Sequence, residues 1–392
     1  MTCGTLAVRR ADPKAVGSGE RSRSRTRKGT GLGAVFAVVL AVTALGCSDE
    51  RSRLPRIVVS TPPSEDVHDL VEWHFDTLTV VGELEGADHF QFVGLGQASV
   101  LPGGEFLLMD PRGGRVALYD STGQHLTSVQ SFGEGPGELQ LPVAHAVTEG
   151  GDLFVLDRLL ARLSHFRLAS GEMEFVGMRR VSQRFVSLCV LNDTLWLGGL
   201  LDGRLAHRVD EEGAVRVSIG KPPKIEGIER LGEFGEALAY PQLVRPMMHC
   251  DDESGLIVLA STSHPRVQAY RGSGEAVWST DLPGFTSTQF ELTESGGLRH
   301  LSHRERGSHV LFSLVPWAEG QLLIQYQVRR EEGDGEQPSA MTMDSRIMDL
   351  ATGEVVSMST ALPPILGGRG NLLVISGQEL FPEALLVRHL QQ

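Results

Sequence analysis

A chain of 392 residues with 41% hydrophobic and 22% charged side chains holds enough apolar material for a sizeable packed core. The formal net charge of −13 becomes −19 when the first 46 residues, which carry eight basic and two acidic side chains, are set aside. That acidity argues against a nucleic-acid partner, because phosphate binding needs clustered lysine and arginine, and it serves solubility instead.

Residues 1–46 differ in kind from the rest. A basic run, Arg21 to Lys28, precedes an apolar stretch from Gly29 to Leu45 that ends in small residues before Cys47. Basic segment, short apolar core and small residues describe a secretory signal peptide. The apolar core falls short of the ~18 residues needed to span a bilayer. Ala44-Leu45-Gly46-Cys47 resembles the lipobox of bacterial lipoproteins, although leucine is commoner at the place of Ala44. The resemblance implies lipidation at Cys47, a membrane anchor, and a place in the bacterial cell envelope, on the periplasmic face or in the outer membrane. Ser48 after Cys47 resembles the pattern that permits outer-membrane sorting.

Residues 47–70 contain Pro55, Pro62 and Pro63 among polar residues and read as a flexible tether. Residues 71–392 read as one all-β domain. It opens with WHFDTLTVV, from Trp73 to Val81, a strand rich in β-branched residues. Six short apolar runs then recur: Phe106–Asp110, Leu153–Asp157, Leu195–Gly199, Leu256–Ala260, Leu322–Tyr326 and Leu372–Ser376. Arginine follows the first five, at Arg115, Arg162, Arg204, Arg266 and Arg346, each with a branched aliphatic residue next in the chain. Glycine turns come next, at Gly123, Gly171, Gly213, Gly274 and Gly353. Each copy is strand, loop, strand, glycine turn, strand, a unit that must stack on its neighbours to bury both faces.

Repeats of this length without helical periodicity predict a six-bladed β-propeller. The last copy has room for its inner strands but lacks an outer one, whereas the strand before Val81 has no blade. Pairing the two would close the ring and remove an open sheet edge. Insertions interrupt the period at about residues 221–247, where Ile225, Ile228, Leu231 and Leu238 approach helical spacing, and at about 285–307, which is polar and histidine-bearing. A hairpin extension from Arg329 to Ala340 is acidic and glycine-rich.

Between the first two copies lies Phe132–Leu139, FGEGPGEL, whose glycines and proline cannot sit inside a regular strand. It resembles the connection between blades in six-bladed propellers of the NHL-repeat-like bacterial group, which carry a G-x-GPGE motif. The resemblance implies the fold; relatives of that kind include both binding scaffolds and enzymes.

No Walker A loop, dinucleotide-binding glycine fingerprint, HExxH, CxxC or GxSxG is present. His300, His303 and His309 form an H-x2-H-x5-H pattern that could bind zinc if the imidazoles converged, although a solvated loop is the simpler account. His145 and His249 fall on inner strands, where side chains can reach a central channel. Enzymes resembling this fold, peptide-amidating lyases and lactonases among them, hold metal there. Here no ring of acidic partners accompanies the two histidines, and packed or water-bonded imidazoles are the plainer reading. Cys189 and Cys250 occupy equivalent inner-strand positions of adjacent copies. They read first as small buried residues, since a bridge needs Cα atoms within about 7 Å and neighbouring inner strands usually diverge further. A disulfide is the alternative that an oxidising compartment permits.

Two functions remain open. The first is a membrane-anchored, non-catalytic propeller that binds a protein or small ligand, with the two insertions as contact surfaces and no cofactor. The second is a metal-dependent hydrolase or lyase at the channel mouth, which would use a divalent metal.

Overall fold

The computed structural model of the chain describes residues 56–60, 72–129, 132–225, 227–295, 298–304, 308–328, 343–377 and 381–390. The signal segment, Cys47 and the extension at residues 329–340 lie outside the described residues.

Among the described residues the fold is all-β with one α-helix, and its strands form six blades around a channel. Two strands come first, β1 (Arg56–Ser60) and β2 (Glu72–Val81). Blade one comprises β3 (Ala98–Val100), β4 (Phe106–Asp110), β5 (Arg115–Tyr119) and β6 (His125–Val129). Blade two comprises β7 (Pro142–Val147), β8 (Asp152–Asp157), β9 (Arg162–Ala169) and β10 (Glu172–Arg180). Blade three comprises β11 (Ser187–Leu191), β12 (Thr194–Leu201), β13 (Arg204–Val209) and β14 (Val215–Ile219). Helix α1 (Gly232–Leu243) leads into blade four, formed by β15 (Pro246–Asp251), β16 (Leu256–Ser261), β17 (His264–Arg271) and β18 (Ala276–Asp281). A separate hairpin, β19 (Gln289–Ser295) with β20 (Leu298–Arg304), precedes blade five. That blade holds β21 (His309–Pro316), β22 (Gln321–Val328), β23 (Met343–Asp349) and β24 (Val355–Leu362). The last three strands are β25 (Ile365–Arg369), β26 (Leu372–Ser376) and β27 (Ala384–Leu390), in a sheet of order β1-β2-β27-β26-β25. β2 pairs antiparallel with β27 from His74↔Leu390 to Val81↔Ala384, so this sheet joins the two ends of the described chain. β1 falls within the stretch read as tether; its Ile57-Val58-Val59 run suits a strand, and it pairs along β2.

The six apolar runs are the second strands, and the packing explains why they do not alternate. In β4 all five residues are buried. Phe106 and Leu108 pack toward the sixth blade, while Leu107 and Met109 pack toward the second. The same division repeats around the ring, giving six hydrophobic clusters, each between two adjacent blades. A strand buried on both faces reads as a continuous apolar run.

Polar side chains then tie blades one, two and five to the connections that enter them. Asp157, wholly buried at the end of β8, accepts hydrogen bonds from the backbone N–H groups of Gln140, Leu141 and Leu160 at 2.6–3.0 Å. Arg162, also buried, donates to the carbonyls of Glu134 and Glu138. Arg162 thus grips the FGEGPGEL connection and Asp157 the two residues that follow it, and the connection also folds on itself through the Gly135 N–H to Glu138 Oε2 bond at 2.7 Å. Gly137 there has φ of 79°, a left-handed conformation that glycine adopts without a Cβ clash. Blade one repeats the device: Asp110 accepts from Val93, Gly94 and Gly113, and Arg115 donates to the carbonyls of Asp88 and Gln91. In blade five Arg346 reaches the carbonyl of Pro283 with two nitrogens and stacks on Tyr326. Arg204 and Arg266 are more exposed, and Arg266 instead pairs with Asp281.

Cys189 on β11 and Cys250 on β15 form a disulfide with Cα atoms 5.6 Å apart. The inner strands of blades three and four therefore approach more closely than the divergence expected of neighbouring blades.

Replacing Asp157 by alanine leaves three backbone donors without their acceptor. It should destabilise the fold by about 3 kcal/mol or more, read as a lower urea midpoint, whereas Asp210→Ala in a surface turn should move that midpoint far less. The disulfide closes a loop of 61 residues. Cys189→Ala/Cys250→Ala should lower stability by about 2–4 kcal/mol, and reductant should lower the midpoint of the parent protein but not of the double variant.

Candidate functional site

Antiparallel order gives the ring two unlike ends. At one, called here the linker face, lie the blade-to-blade connections and the turns between second and third strands. At the other, the hairpin face, lie the turns between first and second strands. Both α1 and the β19–β20 hairpin interrupt blade-to-blade connections, so both stand on the linker face. They also touch each other, α1 against β20.

The inner strands enclose two cavities joined at a waist formed by Gln97, Leu188, Met248, Leu314 and Leu366. The cavity toward the linker face has a volume of about 420 Å³. Its wall is mixed, with Leu95, Met109, Val143, Met247 and Phe312 beside Gln97, Ser187, Thr262, Ser313 and Arg245. The helix anchors next to it through Ala239, Leu243 and Val244, packed on blades three and four. Of the residues with helical spacing in the sequence, Ile225, Ile228 and Leu231 join that packing, but Leu238 is 41% exposed. Helix register explains this: Ala239 and Leu243, four apart, form the inward stripe, and Leu238 precedes it on the outer side.

The cavity toward the hairpin face has a volume of about 550 Å³ and a different lining. Six carboxylates, Glu149, Asp193, Asp251, Asp252, Glu253 and Glu319, face a single guanidinium, that of Arg369. Arg369 Nη2 lies 3.2 Å from Glu149 Oε1, linking blades six and two across the first blade's turn. The Asn192 N–H donates to Asp252 Oδ1 at 2.7 Å and, with the disulfide, fixes the rim between blades three and four.

His145 and His249 both line this cavity. His145 is wholly buried. Its Nε2 lies 2.9 Å from Ser99 Oγ, and its backbone N–H donates to Gln97 Oε1 at 3.0 Å. These bonds stitch β3 to β7 where the first two blades meet. A serine against a histidine has the separation of a nucleophile and its base. Here, however, His145 Nδ1 makes no hydrogen bond to an orienting carboxylate. The pair therefore lacks the third member of a triad, and its evident work is to hold a seam. His249 is partly open to the cavity, but its Nε2 is sealed and makes no hydrogen bond within the protein. Burial depresses both imidazoles to about 4, with Asp251 and Asp252 opposing that fall at His249.

The three histidines of the H-x2-H-x5-H pattern are divided between elements. His300 and His303 belong to β20, and His309 begins β21. His309 Nδ1 accepts from the Thr286 N–H at 2.8 Å, and its Nε2 lies 3.2 Å from Asp344 Oδ2. Both of its nitrogens are thus committed inside blade five. Among the described residues, no group of three or more histidine, cysteine or acidic side chains is placed to hold a metal ion.

The sequence reasoning missed the acidic rim. Its members sit in first-to-second strand turns, where aspartate, glutamate and glycine are ordinary turn residues. Aligning the copies on their second strands would have shown four of these turns carrying carboxylates two to four residues ahead of the strand.

No family model matches the chain, and no curated protein matches it. Solved structures do. A protein from Bacteroides fragilis described as exported aligns with a TM-score of 0.52 at 11% identity, over 81% of this chain and 96% of its own. A member of the DUF4221 family from Bacteroides vulgatus aligns with a TM-score of 0.51 at 8% identity, over 82% and 99%. At such identity the likeness shows the fold alone. No helix among the described residues is long and apolar enough to cross a membrane.

The two depressed histidines make a pH dependence. An unfolded histidine titrates near ~6.5, so between about pH 6.5 and pH 4 the unfolded chain takes up protons that the folded chain refuses. Stability is full above that window and falls as pH drops through it, by about 3 kcal/mol for His145 and less for the partly open His249. His145→Gln should flatten the acid limb of a melting-temperature profile, and an unchanged limb would show that His145 does not set it.

Proposed function

We propose that this protein is an extracytoplasmic binding module, tethered to a bacterial membrane by lipid at Cys47, that captures a partner on its linker face. The observation that carries this reading is the placement of both insertions. A closed ring needs neither α1 nor the β19–β20 hairpin, yet both stand on one face and touch there. Beside α1 opens the 420 Å³ cavity. Binding and specificity commonly reside in such loops on a rigid scaffold. The linker face also carries exposed apolar side chains: Leu84, Val93, Phe132, Leu159 and Leu238 are 41–70% exposed. Val80, Val176, Met178, Val215, Val277 and Val356 are exposed on outer strands as well, so the reading rests on the insertions rather than on these side chains.

The signal and lipobox-like sequence supports export and anchoring, and the likeness to a protein described as exported agrees with it. In this reading β2 closes the ring, because its pairing with β27 covers an edge that would otherwise be open. The FGEGPGEL connection supports kinship with NHL-like envelope propellers.

A photoreactive residue at position 238, expressed in the native host, tests the binding face. It should give a discrete protein adduct that the same probe at position 277, on the outer strand β18, does not. Removing the β19–β20 hairpin should reduce that adduct at least severalfold while the melting temperature holds. Equal labelling from both positions would count against the linker face.

A further inference from the structure

The cavity toward the linker face carries a single charge, and the protein leaves that charge unpaired. We infer that this cavity is a binding site for a small organic anion, a carboxylate with an apolar body.

The lining is the first argument. Of the residues around this cavity Arg245 alone is charged, and no carboxylate is among them. That is unexpected of a chain with 49 acidic and 36 basic side chains. The Arg245 carbonyl accepts from the N–H and Oγ1 of Thr262, both at 2.8 Å, which fixes the residue at the entrance to β15. Its guanidinium has no ion-pair partner among the described residues.

The second argument is where that guanidinium lies and what surrounds it. The charge that acts on it is another arginine, Arg158, in the β8–β9 turn of blade two. Arg245 belongs to blade four, so the two act on each other across the inner end of blade three, where the channel opens. Both residues keep solvent-exposed surface, so a ligand can reach them. Burial depresses Arg245 below the ordinary arginine value, Arg158 depresses it further, and no carboxylate opposes either. Arg179, also partly buried, is supported by Glu211, Asp210 and Glu212, and Arg266 by Asp281. Arg245 is thus a partly desolvated cation that faces a like charge and lacks a counter-ion. An anion relieves both conditions.

The wall narrows the class. Ser187, Thr262 and Ser313 line the cavity too, but their hydroxyls donate to the Pro246 carbonyl, the Arg245 carbonyl and Gln325 Oε1. Arg245 is the charged donor left for an acidic head, and its fork can grip both oxygens of one carboxylate. Leu95, Met109, Val143, Met247 and Phe312 offer apolar contact that a bare phosphate or sulfate ion would not use. A volume of about 420 Å³ falls among small-molecule sites and is too small for a folded segment.

The probe is 4-phenylbutyrate, with 4-phenyl-1-butanol as its neutral counterpart and acetate as the anion without an apolar body. Titration calorimetry on the mature protein should show one-to-one binding of phenylbutyrate, with the alcohol and acetate at least tenfold weaker. Arg245→Gln should weaken phenylbutyrate binding at least tenfold, and Arg158→Gln severalfold. Arg216→Gln, which removes the same charge from the outer strand β14, should change it less than twofold. Val143→Phe, which fills the cavity at unchanged charge, should weaken it at least tenfold. The inference fails if phenylbutyrate does not bind, or if the alcohol binds as tightly, which would report an apolar hole alone. It also fails if acetate binds as tightly, or if Arg216→Gln weakens binding as much as Arg245→Gln, which would report bulk charge. Calorimetry uses the protein alone, whereas the adduct at position 238 needs the partner, so either reading can fail without the other.

Discussion

A blade of this ring can bury its two faces only if the connection leading into it is held in place. Each connection crosses from the outer strand of one sheet to the inner strand of the next, and it must leave backbone amides and carbonyls away from solvent. The protein meets that need with buried charge. Asp110 and Asp157 each accept three backbone N–H bonds, while Arg115 and Arg162 donate to the carbonyls of the same connections. Burying a carboxylate or a guanidinium is unfavourable unless it is hydrogen-bonded, and here the bonds come from the backbone groups that most need partners, although the Arg162 Nε makes none. The hydrophobic clusters lie between blades, so they form only when those connections place the sheets face to face.

The device weakens around the ring, and other side chains take its place. In blade five Gln325, wholly buried, accepts from the Ile365 N–H at 2.7 Å and donates to the Pro363 carbonyl at 2.9 Å, holding the connection into the last blade. Between blades three and four the work passes to a covalent bond, Cys189 to Cys250, and to α1, whose Leu243 and Val244 fill the gap. The histidine seam between blades one and two belongs to the same set. Each is a local answer to one demand, that adjacent inner strands be fixed across a channel no backbone ladder spans.

This substitution of one device for another decides how much the sequence could reveal. The six second strands were legible because burial on both faces leaves a continuous apolar signature, and the arginine after the first five marked the register. The bracing role of Arg115, Arg162 and Arg346 follows from that register. The disulfide was less legible, since spacing placed the cysteines in equivalent strands without fixing how closely those strands approach. The histidine pattern was hard to read for the opposite reason. His300, His303 and His309 are close in sequence, but a strand boundary separates them and His309 turns into blade five. The acidic rim escaped notice because turn chemistry and ligand chemistry employ the same residues, and only the ring brings turns from four blades around one opening.

The two ends of the channel therefore follow from topology as much as from composition. First-to-second strand turns are short and polar in every blade, so whatever charge they carry is delivered to one mouth. Blade-to-blade connections are long and tolerate insertion, so helix, hairpin and exposed apolar side chains collect at the other. A propeller that had to bind only one thing could leave one of these ends neutral and bare. Here one end concentrates carboxylates, and the other gathers added structure around its opening, with Leu188, Met248 and Leu366 between them. Because these waist residues line both cavities and sit on the inner strands of blades three, four and six, a ligand lodged at either end presses on side chains that the other end shares. Packed side chains of this kind carry coupling between sites only when they have two arrangements. Met248 is unbranched and the most adaptable of the three, so any communication between the mouths has its natural path through that side chain.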